Sequence, residues 1–302
     1  MESNKERTGI YLIIIAAIGW GLLGTFTKLL GYYSYDSITI ATFRPTMAVI
    51  FYIIVTAIKN PSDFKTDLRG IVLFFIYGML AYNGLFVGFS YAVELTSPAT
   101  AVILLYTAPI LITFLSYFFF QEPLTLKKIF ALILTALGCF LVVRGYKPGI
   151  LQLNVKGILW GLLSALGFAF QCVLGKKILE NYSHRTLLVY GFIFSALFLW
   201  ILRPPWILVK SITSIKPSLL ILGLGVLCTI IPNGLYAKAL NYVEASKAGI
   251  LSNIEPVTGV FLAFVLFKEK MEGLQWLGIG LVVLSLILVQ YKNTNKIEGN
   301  TE

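Results

Sequence analysis

The sequence predicts an all-α membrane protein, with ten transmembrane helices arranged as two inverted five-helix repeats. Three observations predict it. The chain is 58% hydrophobic and only 13% charged, with a mean hydropathy of +0.84, whereas a soluble domain of this length needs a far more charged surface. Its apolar residues fall in long runs, and a run of roughly 18 or more can cross a bilayer. Finally, the second half repeats landmarks of the first: Pro109 and Pro256, Glu122 and Glu269, and Ala92 and Ala239 are each 147 residues apart.

Ten spans follow in order: Ile10–Leu30, Ser37–Ile58, Gly70–Tyr91, Pro98–Phe120, Leu126–Val143, Val155–Leu174, Thr186–Leu202, Pro217–Ala239, Ala245–Phe267 and Gly273–Tyr291. The first follows Lys5 and Arg7 but is too long for a signal peptide and has no small-residue cleavage site. Connections are short, so neighbours pack antiparallel. The segment Arg203–Lys216, with Pro204, Pro205 and Trp206, reads as an interfacial loop, because Trp favours the headgroup level. The polar tail from Lys292 to Glu302 is expected to be disordered. The domains divide at 1–148 and 149–302, with five spans each. Five is odd, so the copies must lie in opposite orientations, an inverted repeat. The first spans of the halves correspond as well, GWGLLGTFTK from Gly19 with GFAFQCVLGK from Gly167, at an offset of 148.

Lys and Arg in the loops set the orientation. With the N-terminus inside, 13 lie on the inner side and 8 on the outer, which favours cytoplasmic N- and C-termini in the plasma membrane. The net charge of +10 fits loops facing an anionic membrane surface and calls for no nucleic acid. Cys139, Cys172 and Cys228 fall in apolar runs without metal-ligand spacing, so no metal or cofactor is expected.

Among residues that could carry chemistry, Glu255 stands out. An ionised carboxylate in mid-membrane costs several kcal/mol unless paired, hydrated or protonated. It reads as a proton-coupling or substrate-amine site, or else as the structural partner of a buried cation. Pro109, Pro232 and Pro256 each free the carbonyl four residues back, which either opens a polar cavity or merely shapes the helix. Arg44 lies about two turns into its span, able to pair with Glu255 or a substrate anion, or to snorkel outward. Asn83, Gln171, Asn233 and Asn253 can bond a zwitterion or a neighbouring helix. Trp20, Tyr82, Tyr106 and Tyr236 can line a cavity or pack a core. Glu122 and Glu269 read as span-end charges in ion pairs or caps.

The segments SYAVELTSPATAVILLYTAPILITFLSYFFFQEPL and AKALNYVEASKAGILSNIEPVTGVFLAFVLFKEKM resemble the two EamA domains of the drug/metabolite transporter superfamily: a small-residue turn, an apolar span with a central proline, then a closing glutamate. GWGLLGTFTK is similar to that family's first span and FRPTMAV, from Phe43, to its second. The resemblance implies ten spans, both ends cytoplasmic, a central cavity, and export or exchange of small metabolites. The second half has Phe192 near the place of Arg44, a departure that argues against a symmetric charge role.

The leading expectation is therefore a secondary transporter moving a small amphipathic metabolite outward by alternating access, coupled to protons through Glu255. Exchange and facilitation are its gradient-driven alternatives. Its substrate-binding candidates are Trp20, Arg44, Asn83, Tyr106, Asn233, Asn253 and Glu255. Expected partners are a small-molecule substrate, membrane lipid and protons, for a monomer or weak homodimer. An intramembrane enzyme would need clustered catalytic groups, whereas the chain has one histidine, His184, and no acidic cluster within its spans. A non-transporting receptor or scaffold would have no use for inverted halves.

Overall fold

A computed structural model describes residues 2–290; the polar tail and the last residue of the tenth expected span lie outside them. The described residues are helical, without strands. Among the described residues, nine helices are long and apolar enough to cross a membrane, so this is an integral membrane protein. They are α1 (Asn4–Gly31), α2 (Ser37–Lys59), α3 (Leu68–Leu95), α4 (Pro98–Phe120), α6 (Val155–Ile178), α7 (His184–Leu202), α8 (Ile215–Ala239), α9 (Ala245–Phe267) and α10 (Gly273–Gln290). Between α4 and α6 lies α5 (Leu126–Val142), of 17 residues. The expected loop after α7 instead folds a short helix, Pro205–Ser211. Its first residue is a proline, whose missing N–H costs nothing there.

Local chemistry sets where helices begin. A polar side chain accepts from a first-turn amide, which has no partner within the helix, at Asp36 to Thr39 (2.8 Å), Asp67 to Gly70 (2.9 Å), Ser97 to Thr100, Asn154 to Gly157 and Ser183 to Thr186 (each 3.1 Å). The ends of α4 and α9 match one another. Gln121 and Lys268 are left-handed, with φ of 54° and 55°. They turn the chain so that the Glu122 amide reaches Ser116 O (3.3 Å) and the Glu269 amide reaches Ala263 O (3.4 Å).

The helices alternate in direction. One end of the bundle, here the Ser37 end, gathers Ser90 on the Ser37 carbonyl (3.2 Å), Ser97 on the Ile150 carbonyl (2.8 Å), Arg203 on Asp36 (3.3 Å) and Tyr146 on Glu272 (2.7 Å). The opposite end gathers Glu6, Asp63, Glu122, Arg185 and Lys247. Hence α6 starts at the Ser37 end, whereas α1 starts at the other. Packing across the halves is paired: α1 against α8 and α3 against α6, then α2 against α7, α4 against α9 and α5 against α10. Glycines allow the closest approaches. A Cβ on Gly278 would stand 2.7 Å from the Gly138 carbonyl, and one on Gly88 would stand 2.8 Å from the Trp160 carbonyl.

Five spans are composite. A π-helical turn interrupts α3 at Gly78–Asn83 and α8 at Val226–Ile230. α1 is broken at Leu22, α4 at Tyr106 and Thr107, and α9 at Ser252 and Asn253. Each expected proline sits just after such an interruption: Pro109 and Pro232 at the second position of the new segment, Pro256 at the third. A fourth proline, Pro45, lies within α2 and can give no amide to the Ala41 carbonyl.

Candidate functional site

The breaks in α1, α4 and α9 border a cavity of about 1060 Å³, mouth included. From mid-span, at Phe168, Gln171, Asn233 and Asn253, it reaches toward the Ser37 end, where Thr27, Ser37 and Val93 line it. Trp20, Phe86, Phe89, Phe168 and Tyr106 form its aromatic wall. Trp20 meets Phe168 edge-on at 5.8 Å and Tyr236 at 5.1 Å between ring centroids.

The polar lining comes from both halves. Arg44 is 8% exposed. Its Nε donates to Thr229 Oγ1 (3.1 Å) and its guanidinium lies 4.3 Å from the Phe86 ring centroid, a cation–π contact. Glu255, in the first turn of the second segment of α9, meets the positive end of that helix dipole. Its carboxylate has no hydrogen bond or ion pair among the described residues, although Arg44 attracts it across the cavity. Beside it, Asn253 Nδ2 donates to the Gly249 (3.0 Å) and Ile250 (3.2 Å) carbonyls at the break in α9. Gln171 Nε2 donates to Asn233 Oδ1 (2.9 Å), and Asn233 Nδ2 to the Thr229 carbonyl (2.8 Å). Gln171 Oε1 is buried with no hydrogen-bond partner among the described residues.

At the far end the bundle is sealed. Glu122, at the end of α4, accepts from the amides of Ala245 (2.8 Å) and Ser246 (3.1 Å) and from the Ser246 hydroxyl. These are charge-assisted bonds to a helix N-terminus. Lys128 lies 3.6 Å and Lys176 3.9 Å from the same carboxylate, and Lys128 also pairs with Glu244 (2.9 Å). Lys247 pairs with Glu6 (2.7 Å). Lys247 is thus a buried first-turn residue of α9. At the open end the repeat-related pair, Lys28 and Glu269, meets at 2.8 Å with both side chains over 40% exposed. No helix N-terminus accompanies it; that of α4 is capped by Ser97.

Of the sequence-derived candidates, Trp20, Arg44, Tyr106, Asn233, Asn253 and Glu255 converge on the cavity. Asn83 does not. It sits between α3 and α7, where its Oδ1 accepts from Ser195 (2.8 Å), because the π-helical turn ending at Asn83 directs it to that interface. Tyr82 stacks on Phe192 with centroids 4.2 Å apart, outside the lining. Gln171, read from the sequence as able to bond a zwitterion or a neighbouring helix, lines the cavity too, and Glu122, read as a span-end charge in an ion pair or cap, does both at the seal. Thr229 and Phe86 carry no signal in the sequence. The 148-residue spacing of Lys28 and Lys176, set beside that of the two glutamates, was the available signal for the seal.

A helical membrane bundle with a one-ended, largely apolar cavity that carries a few polar and charged groups defines the class, and the family follows. The model of the EamA-like transporter family matches residues 7–144 and again 155–291, so the chain belongs to that family. It is similar to an uncharacterized transporter of Archaeoglobus fulgidus, 25% identical over 95% of this chain and 97% of that one. It is also similar to the uncharacterized inner membrane transporter YicL of Salmonella typhimurium, 24% identical over 95% and 96%. A probable amino-acid metabolite efflux pump of the same organism is 24% identical over 97% of this chain and all of its own. A crystal structure of a protein 17% identical superposes with a TM-score of 0.78, over 94% of this chain and 96% of that one, showing the same fold.

Proposed function

We propose that the protein is a secondary transporter that exports small amphipathic metabolites, amino acids or related compounds and drugs among them. It works in the plasma membrane with both termini cytoplasmic. Its ten helices act as two inverted repeats, 1–148 and 149–302, that rock about the cavity. One observation carries this reading: the cavity reaches one end of the bundle only, while the other is sealed by Glu122 on the N-terminus of α9. With the N-terminus inside, this is the outward-facing form. The Lys176–Glu122 and Lys28–Glu269 pairs, at 148 and 147 residues, are the two latches such rocking would exchange. One chain encloses the whole cavity, so a monomer suffices. The relatives' names support a transporter over an enzyme, and the efflux-pump relative supports an amino-acid cargo.

Trp20, Arg44, Tyr106, Asn233, Asn253 and Glu255 would bind substrate. Glu255 would exchange a proton for it, because an unpaired carboxylate in the cavity can serve one cation at a time. The test is flux from proteoliposomes under an imposed pH gradient. Wild type is expected to drive efflux with the gradient, and Glu255→Gln to move substrate at one rate with or without it. A gradient response that survives in Glu255→Gln removes the coupling role; absence of flux for every amphipathic compound removes the transporter reading.

A further inference from the structure

The cavity holds two opposite charges that do not meet. Arg44 has five N–H donors in a rigid fork. Only Nε is engaged, by Thr229, and no carboxylate lies within 4.0 Å of the guanidinium among the described residues. Phe86 under the guanidinium and Thr229 at Nε fix the fork's plane and leave Nη1 and Nη2 free to act together. Glu255, on α9, likewise has no hydrogen bond or ion pair among the described residues. A third group is unsatisfied on the same lining, and its identity is set by a chain of bonds. The Thr229 carbonyl can only accept, so Asn233 must present Nδ2 to it. Asn233 then offers Oδ1 to Gln171, which must present Nε2. Gln171 Oε1 is left buried, an acceptor awaiting a donor.

From these groups we infer that the cavity binds a zwitterion, its carboxylate bridging Nη1 and Nη2 of Arg44 and its ammonium shared by Glu255 and Gln171 Oε1. The inference rests on the cavity being the transport site. Desolvating either protein charge without a counter-ion is costly. A ligand with one charge would leave the protein charge of its own sign unpaired, and a neutral ligand would leave both. A zwitterion satisfies all three groups and leaves the cavity's net charge unchanged. A guanidinium fork matches a carboxylate through two parallel N–H···O bonds, while two carboxylate oxygens and an amide oxygen suit an ammonium's three N–H donors. Trp20, Phe89 and Phe168 face the remaining space, so the substituent between the two charged groups is apolar or aromatic. Glu255 then serves proton and ammonium by turns, which makes their occupancy mutually exclusive.

Three probes separate the charges: phenylalanine, its methyl ester (ammonium only) and N-acetylphenylalanine (carboxylate only). Binding to purified protein and counterflow in proteoliposomes are measured for wild type, Arg44→Gln and Glu255→Gln. Wild type is expected to favour phenylalanine at least tenfold over both analogues. Arg44→Gln should erase the preference over the ester alone, and Glu255→Gln the preference over the N-acetyl compound alone. Gln171→Leu should weaken phenylalanine and the ester together and spare the N-acetyl compound. If wild type takes the ester or the N-acetyl compound as well as phenylalanine, the zwitterion is overturned and the transporter stands. If none of the three binds or moves, the zwitterion is overturned, and the transporter reading is decided separately by flux of the other amphipathic compounds. Should a variant not fold, the wild-type ranking decides alone.

Discussion

Glycine shows how single residues decide this bundle. At Gly278 a side chain has no room, since its Cβ would meet the Gly138 carbonyl at 2.7 Å, whereas at Gly24 nothing lies within 4 Å. Gly278→Val should therefore lower stability by about 1–3 kcal/mol through overpacking of α5 against α10. Gly24→Ala should leave it unchanged or raise it by up to about 1 kcal/mol, since alanine holds a helix better. Thermal unfolding in detergent distinguishes the two. A second case lies outside the spans, at Asp63. Burial alone would raise its carboxyl, but hydrogen bonds from Arg185 and Ser183 outweigh burial and hold it below the usual carboxylate range. A depressed acid stabilises the fold above its unfolded pKa, about 3.9, and loses that contribution as pH falls through the folded value. Asp63→Asn should melt earlier than wild type at pH 7, and the gap should close as the medium is taken below about pH 4. A constant gap at all pH values would mean the ion pair with Arg185 contributes nothing.

At the scale of elements, the interruptions matter more than the helices. Tyr106 and Asn253 occupy equivalent breaks, 147 residues apart, each followed within three residues by a proline. Such breaks survive in a membrane only where protein or a polar cavity satisfies the freed backbone. Here Asn253 bonds the loose carbonyls of Gly249 and Ile250, while Tyr106 and Asn253 themselves line the cavity. Asn253→Leu removes both bonds and leaves the carbonyls bare, at a cost of about 1–3 kcal/mol each in a dry site. It should lower the melting temperature more than Asn241→Leu, whose side chain bonds one carbonyl at an exposed position. Equal effects would mean that solvent already reaches the break.

For the whole molecule, the question is which end is shut. Glu122 accepts three hydrogen bonds from the start of α9 and sits beside Lys128 and Lys176, whereas Glu269 holds Lys28 alone in the open. Hydrogen bonds to an ionised group contribute about 1.5–3 kcal/mol each. Losing the charge of Glu122 should thus shift the open–closed balance at that end by at least tenfold. Glu122→Gln is expected to raise thiol labelling, from the Glu122 side, of a cysteine placed at Ile112 beneath the seal, about tenfold. Glu269→Gln should leave it unchanged. Labelling that is insensitive to Glu122→Gln would show that the seal does not hold the closed end.

The membrane class, the helices and their approximate ends, the repeat and its landmarks were all legible in the sequence. Each rests on composition, run length or spacing, which are local or linear properties of the chain. Glu255, Arg44 and the prolines were legible as candidates too, because a charge or a missing amide in an apolar run is conspicuous wherever the chain goes. The convergence of six of the seven candidates, the diversion of Asn83 to Ser195, the unpaired acceptor on Gln171 and the Glu122 seal were not. They depend on which faces of α2, α3, α6, α8 and α9 meet across the two halves, and on π-helical turns that rotate a face without leaving a mark in the hydropathy. Sequence alone determined that polar groups would lie buried in a membrane; only the tertiary structure decided which of them found partners, because a hydrogen bond is satisfied by position in space and not by order along the chain.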